Sequence, residues 1–117
     1  MLVTSYKAAF RDWELRHGDF AALELDRGDF IYADPPYDVE FTQYSQDGFD
    51  WDEQERTAKW LSTHKGPVVL SNQATARIEK LYKSLGFSLT FLEAPRRISC
   101  TGDRTPAVEI LALRNVN

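Results

Sequence analysis

The sequence predicts an α/β fold whose sheet is mostly parallel and finishes in an antiparallel hairpin. Strand-like apolar runs alternate with helical patterns as far as Gly86, which implies parallel strands joined by crossover helices. The last two apolar runs, "FSLTFLE" and "AVEILAL", are separated by a polar stretch rich in Arg, Gly and Thr instead of a helix. They are therefore expected to pair as a terminal hairpin. At 117 residues the chain fits one domain with a single core.

The first part of the chain is expected to hold two strands and two short helical segments. Residues 4 to 12 favour a short helix, and "AALELDRG" favours about one helical turn. "WELRHGDF" indicates a short strand that runs into a turn at its Gly-Asp pair. "DFIYAD" is a buried strand, which must end at Pro35-Pro36 because proline has no backbone N–H to donate to a sheet.

The second part alternates helix and strand more regularly. Residues 38 to 50 are polar with interspersed aromatic rings and indicate a long loop. Asp52 is the expected N-cap of a helix that runs to about His64. "PVVLSN" is the next buried strand, and "ATARIEKLYKSLG" is an amphipathic helix closed by its final glycine. The apolar side chains around that helix share one face: Ala74, Ile78, Leu81, Tyr82 and Leu85.

Composition narrows the class of protein. Hydrophobic residues make up 43% and charged residues 27%, which is ordinary for a globular domain and argues against global disorder. No stretch approaches the roughly 20 apolar residues of a membrane span, and the N-terminus lacks the order of a signal peptide, so the expected location is the cytoplasm. One cysteine and two distant histidines provide no metal-ligand cluster, and no metal is expected. The net charge of −4 neither supports nor excludes binding to nucleic acid.

Polar segments follow three of the predicted strands. Asp34 to Tyr37, Ser71-Asn72 and Gly18-Asp19 each come where a strand is expected to end. In open α/β sheets, ligands bind beyond the carboxyl ends of the strands. These three loops are therefore expected at one edge of the fold.

The segment Asp34-Pro35-Pro36-Tyr37 admits two interpretations. It is either a rigid turn with Tyr37 as a lid on the core, or a binding site. Two prolines set successive φ angles and remove two donors, which leaves nearby carbonyls and the Asp34 carboxylate as a cluster of acceptors. Such a cluster suits a planar amino group with two hydrogens, and a tyrosine ring stacks on a base with about 1 to 3 kcal/mol. The functional interpretation is a binding site for the exocyclic amine of an aromatic base.

For such an amine to react with an electrophile, the protein must orient the nitrogen, and it need not supply a nucleophile of its own. The nitrogen lone pair of adenine or cytosine is delocalised into the ring, so the amine is a poor nucleophile. Acceptors that orient both hydrogens favour a pyramidal nitrogen whose lone pair points at an electrophile. This mechanism requires no covalent enzyme intermediate, in keeping with a sequence that has no evident Cys-His or Ser-His arrangement.

These segments resemble a known family, the Dam-type (D12 class) DNA adenine-N6 methyltransferases, which transfer a methyl group from S-adenosylmethionine. The resemblance runs from about residue 4 to the end of the chain and implies a partial Rossmann-like methyltransferase fold. The order and spacing of several segments support it. They are "HGDF", "DFIYADPPY", "FTQYSQDGF", "VVLSN", "RRIS" and "VEILAL".

The resemblance assigns the catalytic motif to four residues. Asp34 would accept from the target amine and lie beside the cofactor, with the backbone of Pro35 and Pro36 completing the motif. Tyr37 would stack on the adenine flipped out of double-stranded DNA.

Further positions match segments of the family that meet the cofactor or the target base. Asp19 and Phe20 match an acidic strand-end segment that contacts the cofactor's adenine; the alternative is an ordinary Gly-Asp turn with a core phenylalanine. Phe41 and Tyr44 match an aromatic loop near the flipped base or DNA, with simple loop packing as the alternative.

Three polar residues complete the candidate set. Arg96 and Arg97 match a basic segment near the target pocket and would bind phosphate or base; the alternative is a solvated charge pair. Asn72 is expected to cap the following helix, with a role as a polar partner at the strand end as the alternative.

The departures from the family predict a partial enzyme. A complete member carries an upstream Phe-x-Gly-x-Gly loop for the methionine end of the cofactor and a region that reads DNA, and neither occurs in this sequence. Residues 1 to 117 are therefore expected to be the C-terminal part of a catalytic domain, inactive alone or dependent on an N-terminal half or second chain. The "DFIYAD" strand would then present an unpaired edge. The alternative is a remnant that binds nucleic acid or a partner without catalysis.

Overall fold

The structure is a computed structural model that describes residues 11–39, 48–94 and 107–116. Most of the helix predicted over residues 4 to 12 lies outside these ranges. Four candidate site residues also lie outside them: Phe41, Tyr44, Arg96 and Arg97. Their predicted roles stay predictions.

The described residues form one four-stranded sheet in the order β1-β2-β4-β3. Its strands are β1 (Ile31–Ala33), β2 (Val68–Gln73), β3 (Ser88–Ala94) and β4 (Ala107–Arg114). β1 pairs with β2 in parallel, whereas β4 pairs antiparallel with both β2 and β3. The prediction of a mostly parallel sheet is therefore wrong, although the α/β class and the antiparallel pairing of the last two strands are confirmed.

The position of β4 explains the difference. The last strand does not extend the sheet at its edge but lies between β2 and β3, where both of its edges find hydrogen-bond partners. Ile110 and Ala112 of β4 are completely buried, whereas Phe91 and Leu92 of β3 are nearly half exposed. The more buried strand thus takes the interior position, which converts two of the three strand pairings to antiparallel.

Two α-helices of the described ranges pack against the sheet. Helix α1 spans Trp51–Ser62, and its N-cap is Asp50, whose side chain accepts from the Glu53 backbone N–H at 3.1 Å. The prediction that Asp52 is the cap is wrong by two residues, because Asp50 has the extended backbone of a cap while Asp52 already lies in the first helical turn. An acid there still favours the helix through the positive end of its dipole.

Helix α2 spans Ala76–Ser84 and is capped by Thr75, whose hydroxyl accepts from the Ile78 N–H. The prediction that Asn72 caps this helix is therefore wrong. The strand continues one residue beyond Asn72, and the helix starts three residues after that. Asn72 is thus too far from the first helical turn to act as its cap.

The core of the described residues lies between the helices and one face of the sheet. Ile78, Leu81 and Tyr82 of α2 are buried, and Ala74 and Leu85 pack beside them, which confirms the predicted apolar face. The strands and α1 supply the other buried side chains: Ala58, Leu61, Val68, Leu70, Phe87, Ile110 and Ala112.

The segment before β1 is less regular than predicted. No strand forms over residues 13 to 20, where Trp13 and Leu15 are 62% and 85% exposed. Within the described part of the chain, this segment has no neighbouring strand to pair with. The predicted helical turn is present only as a 3-10 turn, Phe20–Ala22.

β1 is an edge strand of the described sheet, as expected. Its outer edge has no partner among the residues that the structure describes. Phe30 and Tyr32 are 62% and 59% exposed beside it. An open edge with exposed aromatic rings is a surface that natural proteins usually cover.

Candidate active site

The tetrapeptide Asp34 to Tyr37 lies directly beyond the carboxyl end of β1. The parallel register pairs Ala33 with Leu70, so Asp34 comes level with Ser71 at the end of β2. The Ser71 hydroxyl donates to Asp34 Oδ1 at 2.8 Å. Two of the three loops that were expected to meet at one edge of the fold are thus in direct contact.

A buried amide holds the second proline of the motif. Gln54 of α1 donates through Nε2 to the Pro36 carbonyl at 2.9 Å, and its Oε1 accepts from Asn72 Nδ2 at 3.0 Å. Gln54 is 3% exposed and Asn72 is completely buried. Asn72 therefore acts as the polar partner at the strand end, which was the alternative to a helix cap.

Asp38, the residue after the motif, is a second anchor that the sequence analysis did not single out. Its N–H donates to Asn72 Oδ1 at 2.8 Å, and its carboxylate accepts from the Thr75 hydroxyl at 2.7 Å. Arg77 binds the same carboxylate through Nε at 2.7 Å and through a second guanidinium nitrogen. Because a buried charge is costly unless it is paired and hydrogen-bonded, these partners are what allow Asp38 to be only 4% exposed.

Tyr37 lies half-buried between the ends of the strands. Its hydroxyl is 3.4 Å from Glu109 Oε2 of β4, a long hydrogen bond. Burial raises the pKa of Tyr37, and the neighbouring carboxylates of Glu109 and Asp34 raise it further. The phenol therefore stays neutral near pH 7 and donates to the Glu109 carboxylate.

An apolar cleft of about 360 Å³ lies under the motif, between β1, α1 and the 3-10 turn. The Phe20 and Trp60 rings meet in it with centroids 5.1 Å apart. The Thr57 hydroxyl is buried and has no hydrogen-bond partner among the described residues. The other walls include Leu23, Leu25, Ile31, Pro35 and Leu61.

Asp19 lies near this cleft and is held by α1. Arg56 donates to Asp19 Oδ1 at 2.7 Å and to Oδ2 at 3.3 Å, and its guanidinium carbon lies 4.4 Å from the centroid of the Phe20 ring. The hydrogen bonds from Arg56 lower the pKa of Asp19. Asp19 is thus an exposed, ionised acceptor next to the apolar wall that Phe20 provides.

Residues 11–39, 48–94 and 107–116 contain no group of three His, Cys, Asp or Glu side chains placed to hold a metal ion. None of the helices in these ranges has the length and apolar character needed to cross a membrane.

Tyr82, which accepts a hydrogen bond from Asn72, is expected to make the stability of the fold depend on pH in the alkaline range. Burial raises the pKa of Tyr82 to about 12, above the ordinary value near 10. The folded state therefore holds the phenol proton more tightly than the unfolded state, so this stabilisation is complete below pH 10 and is lost as the pH rises through 12. We expect the free energy of unfolding to fall by on the order of 2 kcal/mol over that range from this group alone.

Urea unfolding of the parent and of Tyr82→Phe between pH 8 and pH 12 measures this loss. The phenylalanine variant lacks the titrating group and is expected to lose less stability over the same range. Parallel curves for the two proteins would show that Tyr82 does not couple folding to pH.

Fold and site together define a class of protein. An α/β sheet places a cluster of acceptors at the ends of two parallel strands, beside an apolar cleft suited to a flat ring. This arrangement is typical of α/β proteins that bind nucleotide-like ligands beyond the carboxyl ends of their strands.

The chain belongs to the D12 class N6 adenine-specific DNA methyltransferases, whose family profile matches residues 2–98. It is 39% identical over 93 residues to the Retron Ec67 DNA adenine methylase of Escherichia coli. It is 36% identical over 107 residues to the DNA N-6-adenine-methyltransferase of Escherichia phage P1. It is 37% identical over 107 residues to the DNA adenine methylase of Vibrio cholerae.

The matches cover most of this chain but a minor part of each relative. The match to the retron methylase covers 76% of this chain and 32% of that protein. The match to the phage P1 enzyme covers 82% and 14%, and the match to the Vibrio cholerae methylase covers 80% and 36%. The chain therefore spans about a third or less of the length of these proteins.

Sequence reasoning missed Gln54, Asp38 and Thr57 as parts of the site. A signal for two of them was present, because Gln54 and Thr57 fall on the same face of α1 as the buried Ala58 and Leu61. Polar side chains on the inner face of an amphipathic helix must find partners or line a cavity. Which partners they find depends on the neighbouring strand, and that requires the tertiary structure.

Proposed function

We propose that this chain carries the catalytic motif of an adenine-specific DNA methyltransferase, as the C-terminal part of a catalytic domain. The observation that carries the proposal is the acceptor cluster at the end of β1, where Ser71 holds Asp34 and Gln54 holds Pro36. The prolines contribute no N–H donor, so the cluster faces an incoming amine with acceptors. Such a site suits an amino group whose two hydrogens must be oriented.

The proposed methyl donor is S-adenosylmethionine, which D12 class methyltransferases generally use. The cleft fits its adenosyl end, because Phe20, Trp60 and Pro35 provide apolar walls and the Thr57 hydroxyl lacks a partner among the described residues. Asp19 is an acceptor within reach of the same wall. When bound, the donor supplies a methyl group on a positively charged sulfur, which is the electrophile of the reaction.

The residues of the motif would orient the adenine amine. Asp34 accepts one hydrogen and a prolyl carbonyl accepts the other, so that the nitrogen lone pair is directed at the methyl group. Transfer would form a bond between the nitrogen and the methyl carbon as the carbon–sulfur bond breaks and a neutral thioether leaves, and the proton that the nitrogen loses would pass through Asp34 to solvent. Positioning and electrostatics provide the catalysis without a covalent enzyme intermediate.

Tyr37 would stack on the flipped adenine, and double-stranded DNA would be the substrate. Phe41, Tyr44, Arg96 and Arg97 are proposed to contact the base or the DNA backbone, the arginines through phosphate. These four lie outside the described residues and rest on the resemblance alone.

A further segment or second chain is proposed to cover the outer edge of β1 and the sheet face that carries Phe30 and Tyr32. The exposed Phe30 and Tyr32 rings support this proposal, as does the fraction of each relative that the chain spans. That segment would also supply the part of the pocket for the methionine end of the cofactor, since the chain has no Gly-x-Gly sequence.

The test is methyl transfer in solution. The chain is incubated with duplex DNA and S-adenosylmethionine labelled in the methyl group, alone and with an N-terminal segment from a relative, and the digested DNA is analysed for N6-methyladenine. Label in N6-methyladenine supports the proposal. DNA binding without transfer under both conditions would favour the second candidate, a nucleic-acid-binding remnant, which the absence of a Gly-x-Gly sequence from these residues also favours.

Replacing Tyr37 tests the stacking role. We expect Tyr37→Ala to weaken binding of DNA with an accessible adenine by about 5- to 150-fold, since stacking of one base is worth about 1 to 3 kcal/mol. Tyr37→Phe retains the ring and loses only the interactions of the hydroxyl with Glu109 and Ser71, so its affinity is expected to stay within about twofold.

Fluorescence anisotropy of a labelled duplex whose adenine lies opposite an abasic site measures both affinities. Unpairing such a base costs less than flipping a paired one. Equal affinity of Tyr37→Ala and the parent would contradict stacking on this ring.

A further inference from the structure

We propose that Ser71 and Asn72, adjacent residues at the carboxyl end of β2, are positioning residues that determine which acceptor atoms of the motif face the target amine. This inference rests on the proposed function and extends it from the motif to residues outside it. Ser71 acts on Asp34 directly. Asn72 acts on Pro36 through Gln54.

The geometry of β2 lets two neighbours hold both parts of the motif. Successive side chains of a strand point to opposite faces of a sheet. Ser71 reaches Asp34 Oδ1 on one face, at 2.8 Å. Asn72 lies on the other face, among the helices, where it meets Gln54 and Tyr82.

The orientation of the Asn72 amide follows from its partners. Its Oδ1 accepts from the backbone N–H groups of Asp38 and Gln73, both at 2.8 Å. Its Nδ2 donates to Gln54 Oε1 at 3.0 Å and to the Tyr82 hydroxyl oxygen at 2.9 Å. Because both N–H groups can only donate, the oxygen of Asn72 must face them, and the amide has a single satisfied orientation.

Asn72 in turn determines the orientation of Gln54. Since Asn72 Nδ2 donates to Gln54 Oε1, the Gln54 amide must present its Nε2 to the Pro36 carbonyl, at 2.9 Å. The Pro36 carbonyl thus already has a donor. A reversed Gln54 amide would place two oxygens against each other.

An oxygen that already accepts one hydrogen bond has one lone pair left, so the amine is expected to prefer oxygens that accept none. Ser71 occupies Asp34 Oδ1, and Gln54 occupies the Pro36 carbonyl. We therefore assign Asp34 Oδ2 and the Pro35 carbonyl to the two hydrogens of the amine. A displacement of about 1 Å in such acceptors costs on the order of a hundredfold in rate, so these contacts are expected to affect transfer more than binding.

Two variants test the inference. Ser71→Ala removes the donor to Asp34, and Gln54→Met removes the donor to Pro36 while nearly preserving side-chain size. Ile78→Val is the matched control, because Ile78 is completely buried on α2 and its apolar side chain forms no hydrogen bond with Ser71, Asn72 or Gln54. For each variant, the single-turnover rate of methyl transfer is measured per folded molecule, together with the dissociation constants for DNA and S-adenosylmethionine.

We expect Ser71→Ala and Gln54→Met each to slow transfer at least tenfold, with both dissociation constants within twofold of the parent. Ile78→Val is expected to keep the parental rate per folded molecule, since a purely structural defect lowers only the folded fraction. A second readout needs no activity. The carboxyl carbon resonance of Asp34, assigned by its loss in Asp34→Asn, is expected to move in Ser71→Ala and to stay in place in Ile78→Val.

The two readouts separate this inference from the proposed function. A parent that transfers no methyl group with or without an added N-terminal segment refutes the proposed function, and the Asp34 resonance then decides the positioning role alone. A resonance that stays in place in Ser71→Ala overturns the inference. So does a parental rate per folded molecule in both Ser71→Ala and Gln54→Met.

Discussion

Asp34→Ala is expected to lower the rate of methyl transfer at least about a hundredfold, in whichever form of the protein transfers the methyl group, while the chain stays folded. The carboxylate lies beyond the end of β1, where it is exposed and bound by Ser71. Removing one preorganised polar group that acts on the reacting atoms typically costs about 10²- to 10³-fold in rate. The side chain contributes no packing to the core, so the expected loss lies in transfer and not in stability.

Single-turnover transfer of labelled methyl groups measures this effect, and thermal unfolding of the same samples measures the folded fraction. Asp52→Ala is the control, because Asp52 is an exposed acid in the first turn of α1. It is expected to keep the parental rate. Equal rates for Asp34→Ala and the parent would remove Asp34 from the mechanism.

Gly66→Ala is expected to destabilise the fold by about 3 kcal/mol, at the upper end of what overpacking of a tight site costs. A Cβ atom at Gly66 would lie 2.9 Å from the Arg27 carbonyl oxygen and closer still to that of Asp29. It would also lie 2.8 Å from His64 Nε2. The two oxygens belong to the backbone and cannot move away by changing a rotamer.

Gly66 lies in the turn before β2, and the carbonyls of Arg27 and Asp29 that it faces belong to the segment that leads into β1. His64 Nε2 binds the Asp29 carbonyl at 2.7 Å, and Asn115 donates to the Gly66 carbonyl at 2.9 Å. A methyl group at Gly66 would push these groups apart and shift the start of the strand that carries the motif. The same variant is therefore expected to weaken the parallel pairing of Ile31 with Val68.

Urea unfolding with linear extrapolation measures the loss in the free energy of unfolding. Gly28→Ala is the control, since a Cβ atom there meets nothing within 4 Å. It is expected to change stability by no more than about 0.5 kcal/mol, as most exposed substitutions do. A Gly66→Ala variant as stable as Gly28→Ala would show that the backbone before β1 moves aside at little cost in free energy.

Much of the site was predictable because its signals are local. Proline cannot continue a sheet, so Pro35-Pro36 had to end the strand, and the acid before them had to lie at its carboxyl end. The pairing of that end with Ser71-Asn72 followed from the expectation of parallel strands, and the Ser71 contact to Asp34 Oδ1 confirms that these ends meet. The family resemblance then provided the chemistry.

The parts that could not be predicted depend on partners distant in sequence. Asp38 is 37 residues from Thr75, and 39 residues from Arg77. No periodicity in the sequence predicts that Asp38 contacts these residues, since an acid after a turn is more often solvated than buried. Gln54 likewise lies on the inner face of α1, so the sequence indicates that its amide needs a polar partner. The sequence does not indicate that this partner is the Pro36 carbonyl.

The sequence by itself determined the α/β class, both amphipathic helices, the apolar cores of the strands and the location of the acceptor motif at a strand end. These properties follow from side-chain periodicity and from the backbone chemistry of proline, which act over a few residues. Only the tertiary structure decided that β4 lies between β2 and β3, that the sheet is mostly antiparallel, and that Ser71, Asn72 and Gln54 hold the motif. Strand order and hydrogen-bond partners depend on which distant segments bury each other best, and that competition is settled only when the whole chain packs.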